Sequence, residues 1–224
     1  MLQVLAVTGA IGSGKSLVCR FLAERGFPVY DSDSRTKALY DTDNELLEAV
    51  RKKMSAYWTG DGSIPEDFLV GEDGRLDRKA LASIIFREGP SGSTALRDLE
   101  SVVHPAVLRD FLEWKDSPEV VAQAEFGTAV IESAIILDNP VFRDVPDKVL
   151  LVEAPEGAGI ARAAMRDHES EERVAVRMES RQKVFASIDG GKQHPDVDYI
   201  IENTGTPDDL RRKVEQFIDT NYRK

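Results

Sequence analysis

Eight consecutive residues near the start of the chain, Gly9-Ala10-Ile11-Gly12-Ser13-Gly14-Lys15-Ser16, restrict its fold more than any other stretch. They fit the spacing G-x-x-x-x-G-K-[ST], in which glycines reach positive φ and let backbone N–H groups close around phosphate oxygens. Such a loop needs a strand before it and a helix after it, because the helix contributes open N–H donors and the positive end of its dipole. The flanks meet that condition. Leu2 to Val7 is a short apolar run ending at Thr8-Gly9, as a buried parallel strand does. From Lys15 to Arg25 the apolar Leu17, Val18, Phe21 and Leu22 share one helical face, and Gly26 ends the helix. Pro28 to Asp31 reads as a second strand, so the opening is a parallel crossover unit.

In this pattern Lys15 bridges the outer phosphates of a nucleotide and the Ser16 hydroxyl is placed to hold Mg²⁺. Other nucleotide-hydrolase signatures are missing: there is no Asn-Lys-x-Asp for guanine selection and no Leu-Ser-Gly-Gly-Gln of a transporter ATPase. That moves the expectation to ATP and to a small kinase.

The net charge of −11 argues against a nucleic-acid partner, since phosphate backbones need clustered Lys and Arg. The same field repels a small polyanion, so its pocket has to be locally basic or carry a metal ion. Cys19 is the only cysteine, which excludes an internal disulfide; on a helix packed against a sheet it reads as a buried spectator. No apolar run approaches the ~20 residues of a membrane-spanning helix. Met1-Leu2-Gln3 opens straight into a strand, without the basic start of a signal peptide, and these features favour the cytoplasm.

At 224 residues the chain has room for one full core with insertions, or a core with a small dependent lobe. Thr128 to Glu132, Lys148 to Glu153 and Tyr199 to Glu202 are further candidate central strands. Between Ser34 and Pro118 helical patterns dominate instead, at Leu46 to Met54, Lys79 to Phe86 and Leu96 to Leu112, with breaks at Gly60-Asp61-Gly62 and Gly89 to Gly92. Glu156 to Asp189 is charge-rich and helical, and a last helix starts at the cap Thr206-Pro207 and buries Leu210, Val214, Phe217 and Ile218. The expected architecture is an α/β, P-loop three-layer fold with a central parallel sheet. Residues 1–33 and 119–224 form its nucleotide-binding core, with a helical lid at about 156–189, and residues 34–118 a helical substrate-binding insertion.

Several segments, in order, resemble the dephospho-coenzyme A kinase family. Thr8 to Ser16 is similar to its Thr-Gly-Gly-Ile-Gly-Ser-Gly-Lys-Ser, with Ala10 in place of a glycine. Asp31-Ser32-Asp33 resembles its Asp-x-Asp after the second strand, and Asp73 to Arg78, followed by Leu81 and Phe86, its Asp-Gly-x-Leu-Asp-Arg segment. Val103-His104-Pro105 looks like its Leu-His-Pro, and Arg162, Arg166 and Asp167 like its Arg-x-x-x-Arg-Asp. Asp198 to Gly205 resembles its closing Asp-Tyr-Val-Ile-Asp-Asn-x-Gly. There are departures. Where the family has Asp-x-Pro-Leu-Leu-Phe-Glu, this chain reads Glu132-Ser133-Ala134-Ile135-Ile136-Leu137-Asp138, leaving both Glu132 and Asp138 open for the strand-end role. The lid glutamine expected four residues after Arg177 is Arg181, with Gln182 beside it, and Gln182 is given no role.

The resemblance implies ATP-dependent phosphorylation of the ribose 3′-hydroxyl of dephospho-CoA, with Mg²⁺. It places Asp33 as the general base that takes the hydroxyl proton, at the carboxyl end of the second strand where ligands of such folds collect. Arg162 and Arg166, four apart on one helical face, clamp the transferring phosphoryl oxygens as the lid closes. Glu132 orients Mg²⁺ together with Ser16, while Asp77, Arg78 and His104 contact dephospho-CoA, and Asn203 and Gly205 line the adenine of ATP. Two other readings compete: a kinase of the same architecture for a nucleoside monophosphate or small alcohol, and a nucleotide-binding module that no longer transfers phosphate. A pure binder needs neither Asp33 nor the lid arginines.

Overall fold

A computed structural model of the chain describes residues 1–60, 62–87, 89–155, 159–160 and 196–223. Five parallel strands form one sheet: β1 (Gln3–Thr8), β2 (Val29–Asp31), β3 (Thr128–Glu132), β4 (Lys148–Glu153) and β5 (Tyr199–Glu202), in the spatial order β2-β3-β1-β4-β5. β1 is central, paired with β3 on one side and β4 on the other. The order reverses around β1, and at such a reversal the loops leaving neighbouring strands diverge and open a crevice at their carboxyl ends. The strands after β1 lie where the apolar runs of the sequence put them. The runs of β3 and β4 are buried almost throughout rather than alternating, because both faces of the sheet are covered there, whereas the edge strand β5 leaves Ile200 exposed.

Among the described residues the α-helices are α1 (Lys15–Ala23), α2 (Ser32–Thr42), α3 (Asn44–Met54), α4 (Arg78–Ile85), α5 (Pro90–Lys115), α6 (Pro118–Gln123) and α7 (Pro207–Asn221). Among the described residues no helix is long and apolar enough to cross a membrane. Two compact units emerge, Met1–Asp31 with Glu113–Lys224, and Ser32–Leu112.

In the first unit the sheet, α1 and α7 share a core of Leu5, Val7, Val18, Leu22, Val130, Leu150, Val152, Leu210, Val214 and Ile218, among others. Burial of each large side chain contributes about 1.5–3 kcal/mol. Phe27, fully buried, stacks on Phe126 with ring centroids 4.7 Å apart and takes the edge of Tyr222 at 5.0 Å, closing the bottom of that core. The second unit has its own buried set, including Leu46, Val50, Met54, Phe68, Leu81, Ile84 and Leu99.

One expectation needs correction. The break expected at Gly89 to Gly92 is shorter: Gly89, at φ 90°, lies before α5, which already starts at Pro90. A first-turn residue has no helical acceptor for its N–H, so proline costs nothing there, and Gly92 lies inside the helix.

α7 starts as the sequence predicts. The Thr206 hydroxyl accepts the Asp209 N–H at 3.2 Å while the Asp209 carboxylate accepts the Thr206 N–H at 2.9 Å, a reciprocal capping box. Hydrogen bonds from Thr206, side chain first and backbone second, pull the Asp209 carboxyl down to about 2. A depressed carboxylate stabilises the fold above its unfolded value of 3.8, and that contribution is lost as pH falls toward about 2. Thr206→Ala should cost about 1 kcal/mol in denaturant unfolding. An unchanged midpoint would show that α7 is held by its buried face alone.

Candidate active site

β1 carries the glycine-rich loop to the carboxyl edge of the sheet. Val4 to Thr8 are buried, so the strand end is fixed before the loop begins. The loop then folds on itself. The Ser13 N–H donates to the Ala10 carbonyl at 3.2 Å, and the Lys15 ammonium donates to the carbonyls of Gly9 at 2.9 Å and Ala10 at 3.0 Å. Two glycines are indispensable to this shape. A Cβ on Gly9 would lie 2.3 Å from the Val152 carbonyl oxygen of β4, so the strand could not pass so close. Gly14, the N-cap of α1, stands at φ 103°, a left-handed conformation that costs a residue with a Cβ about 1–3 kcal/mol. Gly12 is likewise at positive φ, and Ile11 is half-buried beside it. Among the described residues no side chain caps α1, so its N-terminus can take an anion in place of a cap.

The Ser16 hydroxyl, exposed in the first turn of α1, donates to Glu132 Oε1 at 2.7 Å. Glu132 ends β3, and the register sets it opposite Val7 of β1 and Asp31 of β2. Two carboxylates thus stand on adjacent strands at the carboxyl edge. Burial pushes the Glu132 carboxyl up, with the Asp31 charge adding to it, while Ser16, Lys15 and Cys19 pull it back. A desolvated carboxylate next to another is a place where a cation is favoured, and Ser16 adds a third hard oxygen. Of the two choices left open, Glu132 touches the loop through Ser16, and Asp138 lies six residues past the end of β3.

Cys19, one turn along α1 from Ser16 and 3% exposed, shares a hydrogen bond with Glu132, and burial raises its thiol well above the ordinary value. The sequence treats Cys19 as a spectator; the contact with Glu132 depends on strand register and has no local signature.

Asn203 follows β5 directly and is 5% exposed. Its side-chain amide donates to the Ser13 carbonyl at 2.8 Å. The sequence reading sets Asn203 beside adenine; its side-chain amide meets the loop. Gly205 lies against the capping box of α7, where a Cβ would come within 2.6 Å of Asp209 Oδ2.

In the second unit, Asp33 is exposed in the first turn of α2, which begins directly after β2. Asp77 caps α4, accepting the N–H groups of Lys79 at 3.0 Å and Ala80 at 2.9 Å. That role is local and was readable from Asp preceding a helical run. Arg78 donates to the Lys37 carbonyl at 2.9 Å and to Asp41 Oδ2 at 2.6 Å. Arg78, Asp77, Asp41, Asp73 and Arg75 line an open depression of about 440 Å³. His104 sits half-buried in α5, and burial holds its imidazole below the usual value. Arg162 and Arg166 lie outside the described residues, as does the expected lid at about 156–189 apart from residues 159–160.

Residues 3–209 match the family described as dephospho-CoA kinase. A dephospho-CoA kinase of Porphyromonas gingivalis is 36% identical over 213 residues, covering 90% of this chain and 94% of that protein. One from Chlorobaculum tepidum is 34% identical over 221 residues, covering 97% and 94%. Among solved structures, a protein from Thermus thermophilus is similar with a TM-score of 0.70 and 26% identity over 98% of both chains. The dephospho-CoA kinase from Campylobacter jejuni shares the fold, with a TM-score of 0.63 at 22% identity over 99% of this chain and 98% of that one.

Proposed function

The chain belongs to the dephospho-CoA kinase family, and we propose how its residues divide the ATP-dependent phosphorylation of the ribose 3′-hydroxyl of dephospho-CoA, which gives coenzyme A and ADP. The observation that carries the assignment is the Ser16–Glu132 contact at the mouth of an uncapped helix, beside a lysine already directed at the loop.

The loop from Gly9 to Ser16 closes its N–H groups around the β-phosphate, and the first turn of α1 adds its dipole. Lys15 exchanges the carbonyls of Gly9 and Ala10 for oxygens of the β- and γ-phosphates, which it stabilises most as charge moves onto the leaving oxygen. Ser16 and Glu132 fit Mg²⁺, a hard cation that takes one or two carboxylates and completes its shell with phosphate oxygens and water. When bound, that ion would offset negative charge on the phosphates held by Lys15 and the loop. Asp33 accepts the proton of the 3′-hydroxyl as it attacks the γ-phosphorus in line. The resemblance assigns Arg162 and Arg166 to the phosphoryl oxygens during transfer, and Asp77, Arg78 and His104 to holding dephospho-CoA. Arg78 suits a phosphate of that substrate by charge, while Asp77 contributes by starting the helix that carries Arg78. The cytoplasm, where ATP is regenerated, is the compartment this reading implies.

A coupled ADP-release assay across dephospho-CoA, AMP, CMP and shikimate tests the assignment. Turnover should be stimulated by dephospho-CoA and not by AMP. Stronger stimulation by either monophosphate would instead make the chain a nucleoside-monophosphate kinase of the same architecture.

A further inference from the structure

We propose that Asn203 is a positioning residue of the phosphate loop, holding the Ser13–Gly14 peptide in its phosphate-binding orientation, and that it takes no part in reading the base. The inference rests on the reading of Gly9 to Ser16 as a triphosphate site. Three observations converge on it.

First, Asn203 spans 190 positions of sequence to donate its side-chain amide to the Ser13 carbonyl at 2.8 Å, in a buried setting. At 5% exposure it has almost no surface to offer a base. Second, Asn203 is itself fixed from both sides. Its N–H donates to the Glu153 carbonyl at 2.6 Å, extending the β4–β5 ladder by one rung, and the capping box of α7 starts three residues later at Thr206. Third, Gly14 is moulded to it: a Cβ there would stand 2.4 Å from the Asn203 amide nitrogen.

The consequence follows from peptide geometry. In a planar trans peptide the C=O and the following N–H point in opposite directions. Holding the Ser13 oxygen toward Asn203 therefore turns the Gly14 N–H the other way, away from Asn203, the orientation in which it can donate to a phosphate oxygen. Glycine makes the opposite peptide orientation nearly as accessible, because it populates both signs of φ. A loop built with Gly14 thus needs an external restraint, and the amide of Asn203 supplies one. Ser13 cannot do so itself: its hydroxyl is buried and makes no hydrogen bond among the described residues.

The test compares ATP with tripolyphosphate, which has the phosphates and no base. Binding of each is measured calorimetrically with Mg²⁺ to the wild-type chain and to Asn203→Ala. A loop-positioning role weakens both ligands by the same factor, about tenfold for one lost hydrogen bond. Loss of ATP affinity alone, with tripolyphosphate unchanged, would make Asn203 a base reader and overturn the proposal, and so would unchanged affinity for both. Asn203→Asp, which sets a carboxylate against the Ser13 carbonyl, should weaken both ligands further. Should either variant fail to fold, the wild-type protein answers the question by NMR. The Asn203 side-chain amide and Gly14 backbone amide resonances should shift alike with tripolyphosphate and ATP; an Asn203 shift seen with ATP only overturns the inference. If the wild-type chain binds ATP but tripolyphosphate does not compete, the triphosphate site itself has been misplaced, which is a separate failure from any behaviour of the variants.

Discussion

Lys15→Ala should lower kcat/KM by about 10³-fold and leave the thermal midpoint unchanged or slightly raised. The loss follows from what the ammonium touches. Its nitrogen already lies within 3.0 Å of two loop carbonyls, so it needs only a side-chain rotation to reach the outer phosphates. Removing one preorganised donor from developing charge costs about 10²–10³ in rate, and a full positive charge stands at the top of that range. Stability should not suffer. Lys15 opens α1, where a positive charge opposes the helix dipole, and alanine is the best helix former. Steady-state kinetics and a melting curve on the same preparation check both halves. Near-wild-type turnover with unchanged ATP affinity would show the loop to be structural.

Asp33→Asn separates chemistry from binding. Asparagine keeps the shape and a hydrogen bond but cannot accept a proton. Loss of a general base costs about 10²–10⁴-fold, and phosphoryl transfer has a loose transition state in which positioning outweighs proton removal. The expected loss is therefore about 10²–10³-fold in kcat, with little change in the binding of ATP or dephospho-CoA. Asp33 also sits in the first turn of α2, where a carboxylate favours the helix dipole, so the variant should be less stable by about 0.3–1 kcal/mol. That is too little to account for the kinetic loss. A normal kcat with a raised KM would reassign Asp33 to holding the acceptor. Impaired Mg-ATP binding alone would make it a metal-shell residue and send the search for the base to Asp31 or Glu132.

Much of the fold is readable because its causes are local. The apolar run into Thr8, the glycine spacing and the helical face of Val18, Phe21 and Leu22 each state a backbone geometry within a few residues. The last helix is legible for the same reason: Thr206, Pro207 and Asp209 form its cap, and Leu210, Val214, Phe217 and Ile218 repeat at the helical period. Where local cues mislead, a second local reading wins. Gly89 and Gly92 look like a break, yet Pro90 between them starts a helix of 26 residues. Asp77, which the resemblance gives to the substrate, is also the N-cap of α4.

The site divides along the same line. The sequence by itself determined that a phosphate loop exists, where it lies, and that Lys15 and Ser16 stand at its end, since glycine conformations and helix termini are properties of adjacent residues. Tertiary structure alone decided that β1 lies between β3 and β4, because pairing partners are chosen by which faces can be buried together. From that choice come the register that sets Glu132 opposite both Val7 and Asp31, the contact of Ser16 with a carboxylate 116 positions away, and the grip of Asn203 on Ser13 across 190. No periodicity within a segment records such meetings. They form only when the sheet closes over its core and brings the carboxyl ends of strands far apart in sequence to one edge.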